Sequence, residues 1–320
     1  MKIVFIVHQG FDYLQDLSYS GLKKILGTNI TEYPWRPPYH LPLKRYPKNL
    51  GFSWTPPHPR VRLKDADVVI VGAAKPDAFH TYLRIAAHIP AQAKAVFIDG
   101  GDRAEIGGDL VRLGAGELYH KAMAIRPFDY VFKREYLREH DHGAKVFPLP
   151  FSFNFTRLPR RVAAEKRYDV AFWASNNVPI RDQVLRLIVD KYDCAQNGTT
   201  LHQTFDPIKR KGVNYLKELQ RCRIVLNFRG GGWDTMRYWE TMAMGSFIIS
   251  GEPRIRIPHQ PIHEKHLIYC ADNLEDLNER IQYYLTHEHQ RERIAARGSR
   301  FIRAFHSDEQ RARFIVTTIG

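Results

Sequence analysis

The chain reads as an α/β protein of two doubly wound halves, and three observations carry that reading. Short apolar runs alternate with segments of helical spacing through the first 135 residues. The same alternation restarts at Tyr168, after a basic, proline-containing linker over 148–166. The 320 residues exceed what one core usually fills, and suit two domains of about 150 residues each.

Lys2–Val7 is mostly apolar and bounded by His8-Gln9-Gly10, so it reads as a first buried strand. Its apolar run is short and has no small-residue cleavage pattern, unlike a signal peptide. A helix follows over Asp12 to Leu26, with Leu14, Leu17, Leu22, Ile25 and Leu26 at helical spacing and Gly27 as the C-cap. Asp67–Val71, Ala95–Ile98 and Asp129–Phe132 are further strands, and Asp77 to His88 is a helix. Strands this apolar belong in a parallel sheet covered on both faces. Between Tyr33 and Arg60 lies a proline-rich segment too long for a plain connection. Its aromatics, Tyr33, Trp35, Tyr39, Tyr46, Phe52 and Trp54, argue against disorder, and we expect a wall of an acceptor site.

In the second half, strands are expected at Tyr168–Trp173, Arg223–Phe228, Ser246–Ser250 and Leu267–Tyr269. Helices are expected at Ile180–Lys191, Val213–Gln220 and Met236–Met244, and from Leu274 onward. Ligands of such sheets sit beyond the carboxyl ends of the strands, which predicts a site in the cleft between the halves.

No stretch reaches the roughly 20 apolar residues of a membrane span. Cys194, Cys222 and Cys270 are widely spaced and form no CxxC pair. A disulfide framework or zinc site is therefore not expected, and a reducing cytoplasm fits. The net charge of +14 is distributed. Residues 1–150 hold 21 basic and 15 acidic side chains, and the remainder 27 and 19. Such a field suits an anionic ligand or peripheral contact with an anionic membrane face. No basic stripe interleaved with aromatics, zinc-finger spacing or RNP-type motif points to nucleic acid.

The chemistry concentrates in Asn227 to Gly245. A buried strand ends there, Gly230, Gly231 and Gly232 follow, and a helix begins near Met236. A glycine-rich turn before a helix N-terminus presents N–H groups to an anion. Asp234 or Thr235 can cap the helix. Arg229 and Arg237 flank the turn and can grip phosphates through forked donors. Glu240, one turn into the helix, can accept from ribose hydroxyls, or pair with Arg237 three residues earlier. Trp239 and Met242 read as core.

The pattern Arg237-x-Trp239-Glu240-x-x-Ala243-x-Gly245 resembles the donor-site helix of GT-B-fold glycosyltransferases, in particular the bacterial group related to spore-maturation glycosyltransferases. The resemblance implies two Rossmann-like domains facing across a cleft. These are an acceptor domain at 1–155 and a nucleotide-sugar donor domain at 156–300, with 301–320 returning to the first domain. It further implies that Ser175, Asn176 and Arg181 face the donor phosphates. The pair of glutamates familiar from a related subgroup is absent, because Gly232 stands eight before Glu240.

Glycosyl transfer builds negative charge on the leaving phosphate, which arginines and a helix start can stabilise without a metal. The one DxD triplet, Asp65-Ala66-Asp67, opens a strand at the end away from ligands, so no metal or other cofactor is expected. An inverting enzyme also needs a base for the acceptor hydroxyl. Asp99 and Asp102, after the strand AVFI, and His8, after the first strand, are the candidates, each also ordinary as a turn residue. The expected partners are a nucleotide-diphosphate sugar and a glycan or lipid-linked acceptor. A non-catalytic nucleotide- or glycan-binding protein on the same fold is the alternative. A bilobed epimerase or phosphorylase-like enzyme is a third possibility, although no motif marks the lysine a phosphorylase would need.

Overall fold

The computed structural model describes residues 1–40, 60–158, 165–174, 178–201 and 212–320. Ser175, Asn176, Tyr46, Phe52 and Trp54 lie outside the described residues. The chain forms two compact units. Unit 1 comprises Met1–Asn154, Ile255–Pro258 and Ser307–Gly320, and unit 2 comprises Phe155–Arg254 and His259–His306.

Unit 1 is built on six parallel strands: β1 (Ile3–Ile6), β2 (Ile30–Tyr33), β3 (Val68–Val71), β4 (Lys94–Asp99), β5 (Tyr130–Lys133) and β6 (Val146–Pro148). Their order is β2-β1-β3-β4-β5-β6. The register sets Ile3 against Ile30 on one side and Val68 on the other. Successive connections leave β1 toward opposite edges, so its carboxyl end is a topological switch point, where open sheets place ligands.

Helix α1 (Tyr13–Leu26) starts because Asp12 Oδ1 accepts from Gln15 N at 3.0 Å, and stops at Gly27, whose φ of 58° suits glycine. Helix α2 (Pro76–Ile85) carries proline in its first turn, where no N–H is missed. Helices α3 (Gly108–Arg112) and α4 (Glu117–Ile125) complete the layer over β4 and β5. A core of Val4, Val69, Phe79, Phe97, Leu118 and Phe128 seals this side of the sheet.

Unit 2 holds four parallel strands, β7 (Tyr168–Ala171), β8 (Cys222–Asn227), β9 (Ile248–Gly251) and β10 (Ile268–Cys270), in the order β10-β9-β8-β7. Its helices are α5 (Pro179–Ile188), α6 (Cys194–Asn197), α7 (Gly212–Arg221), α8 (Met236–Ala243), α9 (Leu277–Thr286) and α10 (Glu288–Phe305). Val170, Phe172, Leu226, Ile249 and Ile281 centre the core. Burial pushes the Cys194 and Cys270 thiols up to about 12, so neither is a thiolate nucleophile.

The last helix, α11 (Asp308–Ile319), belongs to unit 1 and packs along α1. Asp308 Oδ2 accepts from Ser20 Oγ and Lys24 Nζ, both at 2.7 Å, and Lys24 also donates to Asn154. The returning segment thus begins at Ser307, not at 301, because α10 stays with unit 2 through His306.

Candidate functional site

Unit 2 presents a cavity of about 270 Å³ beyond the carboxyl ends of β8, β9 and β10. Asn227, Phe228 and Arg229 reach it from β8, Gly251 from β9, Ala271 and Asp272 from β10, and Ile180 from the first turn of α5. Trp233 lies in the wall, with the Arg229 guanidinium 4.6 Å and the Arg254 guanidinium 5.6 Å from its ring centre. Arg254 is held by Asp272 at 2.8 Å. An indole flanked by two cations offers a stacking surface and positive charge together.

The glycine turn follows β8 as expected. Gly230 N donates to Gly232 O at 3.1 Å, which folds the three glycines into a tight loop. Arg181 is buried and donates to the turn's own carbonyls, from Nε to Arg229 O at 3.0 Å and from Nη2 to Phe228 O at 3.4 Å. Its place is therefore under the turn, shaping it. Asp234 Oδ1 accepts from Trp239 Nε1 at 2.7 Å, and Thr235 donates to Asn227 Oδ1 at 2.7 Å. Thr235 stands at the N-cap of α8 but makes no side-chain cap bond.

Arg237 sits in the first turn of α8 and is 8% exposed. Its Nη2 donates to Trp173 O, and its guanidinium carbon lies 5.3 Å from the Phe172 ring centre. Its Nε and Nη1 are buried without a hydrogen-bond partner among the described residues. An intrahelical pair with Glu240 does not form. Glu240 Oε1 instead accepts from Arg157 Nη2 at 3.1 Å, both side chains being buried. Trp239 and Met242 lie in the core.

In unit 1 the three candidate bases have different fates. Asp99 has no exposed surface. Its oxygens accept from Lys133 Nζ (3.0 Å), Gly101 N (3.1 Å) and Gly107 N (2.8 Å). The β4–β5 register puts Asp99 beside Lys133, so this carboxylate anchors the loop after β4 and does not reach a substrate. Asp102 is half exposed and ion-paired with Arg134, which also meets Glu135. His8 stands at the switch point, with Nδ1 2.6 Å from Asp77 Oδ1. Asp77 Oδ2 accepts from Gln9 N at 2.9 Å. Burial raises the Asp77 carboxyl, but the bonds from His8 and Gln9 outweigh it and hold the group below its ordinary value. An ionised Asp77 fixes hydrogen on Nδ1 and leaves Nε2 as the proton acceptor.

Asp77, Arg157, Arg254 and Asp272 were not signalled as site residues by any spacing. Asp77 meets His8 across 69 residues, and Arg157 meets Glu240 across 83. Asp65 and Asp67 sit at the amino end of β3, where Asp65 pairs with Arg62 and Asp67 accepts from Lys2 N. No cluster of three or more metal-ligating side chains occurs among the described residues.

Residues 200–317 match a family described as glycosyl transferase-like. No curated protein matches the chain. Among solved structures, the chain is similar to an alpha-glucosyltransferase in complex with UDP, at 11% identity and a TM-score of 0.62, covering 100% of this chain and 99% of that one. It is similar to Anabaena Alr3699/HepE in complex with UDP-glucose, at 10% identity, a TM-score of 0.58 and coverage of 100% and 99%. The sucrose-phosphate synthase of Thermosynechococcus elongatus gives 11% identity, a TM-score of 0.60 and coverage of 99% and 98%. The chain has the α/β fold of the GT-B glycosyltransferases, with parallel sheets in both units. Its second unit carries most of the glycosyl transferase-like segment.

Proposed function

We propose that the chain is a metal-independent glycosyltransferase that moves a sugar from a nucleoside-diphosphate donor to a hydroxyl of a glycan or lipid-linked acceptor. One observation carries the reading. Arg237 is a buried guanidinium with two unmet N–H donors, at the start of a helix that follows a glycine turn. Such a group is costly until an anion arrives, and a phosphate takes two parallel N–H donors at once. The cavity at the carboxyl ends of β8–β10 then takes the nucleoside, with Trp233 as the stacking surface. The UDP and UDP-glucose complexes of the structural neighbours support this assignment. The Arg237, Trp239, Glu240, Ala243 and Gly245 pattern supports placement in the spore-maturation-type group.

In the reaction the acceptor hydroxyl oxygen bonds to the anomeric carbon while that carbon's bond to the phosphate oxygen breaks. His8 Nε2 takes the hydroxyl proton, and Asp77 stabilises the resulting imidazolium. The nucleoside diphosphate leaves with its new negative charge held by Arg237 and the glycine turn.

A thermal-shift panel of UDP, GDP, dTDP, CMP and ADP tests the donor site. Binding at ten times Kd stabilises by about 1.4 kcal/mol, and silence across the panel refutes the proposal. A shift without turnover on any acceptor would favour the binding-protein alternative. The outward row Arg293, Arg297 and Arg300 of α10 is exposed and supports contact with an anionic membrane face. Failure to sediment with phosphatidylglycerol vesicles at low salt retires that contact.

A further inference from the structure

The histidine turn is held by more polar chemistry than a surface turn requires. Gln15, fully buried in the first turn of α1, binds the backbone of His8 from both sides. Its Oε1 accepts from His8 N at 2.6 Å, and its Nε2 donates to His8 O at 3.2 Å. One side-chain amide thus serves His8 as a neighbouring strand would. The same Nε2 lies 3.3 Å from Asp16 Oδ1.

A second tie comes from beyond β2. Arg36, 1% exposed, donates from Nη1 to Asp16 Oδ1 at 2.5 Å and from Nη2 to Gly10 O. Tyr39 Oη donates to the same Asp16 oxygen at 2.7 Å, and the Arg36 guanidinium lies 4.4 Å from the Tyr39 ring centre. Arg36 and Tyr39 belong to the start of the proline-rich segment. The histidine ring lies against Gly10: a Cβ there would stand 2.4 Å from His8 Nε2 and 2.9 Å from Cε1. The ring's outer nitrogen therefore rests on a residue whose carbonyl is fixed by Arg36.

We propose that Gln15 and Arg36 are positioning residues for His8: Gln15 fixes its backbone, and Arg36 fixes the Gly10 platform on which its Nε2 rests. A buried guanidinium–carboxylate pair contributes little net stability against an apolar replacement, so stability alone does not explain it here. A planar fork bridging two fixed acceptors sets their spacing in a way lysine cannot. Through Arg36, the root of the proline-rich segment and the turn carrying His8 share one polar network.

This inference rests on the reading of His8 as the acceptor-side base, and the experiment separates the two. Imidazole ¹⁵N spectra of the full chain are recorded for the wild type, Gln15→Met and Arg36→Lys, with His8→Asn supplying the assignment. Release of UDP from UDP-glucose, or from whichever donor the nucleotide panel selects, is measured on the same proteins. The wild type is expected to show His8 as a single tautomer with hydrogen on Nδ1. Both variants are expected to show mixed tautomers, with kcat lowered about tenfold and donor KM within twofold. His8→Asn is expected to lose the factor of about 10²–10⁴ that acid–base catalysis contributes. An unchanged His8 tautomer and unchanged kcat in folded Gln15→Met and Arg36→Lys overturn the positioning role. A mixed tautomer with unchanged turnover removes His8 as the base, and with it the catalytic purpose of the network. If Gln15→Met fails to fold, Arg36→Lys, which keeps the charge beside Asp16, decides the matter alone.

Discussion

Replacing Arg237 with methionine should leave the ligand-free protein about as stable as before while abolishing its response to nucleotide. The side chain makes one charged hydrogen bond, to the Trp173 carbonyl, and lies over Phe172. Losing these costs about 1.5–3 kcal/mol for the bond and about 0.5–2 kcal/mol for the ring contact. Against that, Nε and Nη1 are buried donors without a partner among the described residues. Relief of each is worth about 1–3 kcal/mol. The opposing contributions are of equal size, so the net change should fall within about 2 kcal/mol of zero. The nucleotide response is different in kind, because the proposed function assigns these unmet donors to the phosphate. Urea melts with and without UDP read both quantities. The stabilisation of about 1.4 kcal/mol at ten times the wild-type Kd should vanish in the variant. A ligand-free protein weakened by more than about 4 kcal/mol, with its UDP response intact, would make Arg237 a structural residue and refute the reasoning.

Three further outcomes follow from the packing. In Gly21→Ala, the new Cβ would lie 2.0 Å from the Asp308 carbonyl oxygen, so urea melts should show a loss of about 2–3 kcal/mol. Lys133→Met strands the Asp99 carboxylate at zero exposure, with a cost of about 3–5 kcal/mol. The double variant Lys133→Met/Asp99→Asn should recover part of it, and no recovery would mean that the pair is not the cause. Burial, with Lys265 and Arg297 adding to it, depresses His266 from 6.5 to about 4. A depressed value means stability is full above pH 6.5 and falls as pH drops toward 4. His266→Gln should flatten that limb of the stability–pH curve.

Much of the fold was legible because most strands are continuous apolar runs. β1, β3, β4, β5, β7 and β8 lie within one or two residues of the expected spans. β2 escaped because its Thr31 and Glu32 look like surface residues. Both are buried, Glu32 accepting from Tyr19 Oη at 2.6 Å. β6 is three residues long and ends in proline, and α4 has only a weakly two-sided pattern. At the site, glycines and arginines were visible as residue types in order, but their duties depend on distant partners. Arg229 and Arg237 flank the turn in sequence, yet it is the distant Arg181 that turns its donors into the turn's own carbonyls. Asp99 and His8 both follow a strand, but the strand register puts Lys133 beside Asp99. What makes Asp99 an anchor is a neighbour on the adjacent strand, which linear order does not reveal.

The return of α11 to unit 1 also bears on how the protein is made. A ribosome completes residues 155–306 before it delivers Asp308, so unit 2 has all of its chain while unit 1 still lacks the cover of α1. Until then Ser20 and Lys24 have no Asp308 carboxylate to meet. The arrangement therefore makes closure of unit 1 conditional on synthesis having reached α11, after all of unit 2.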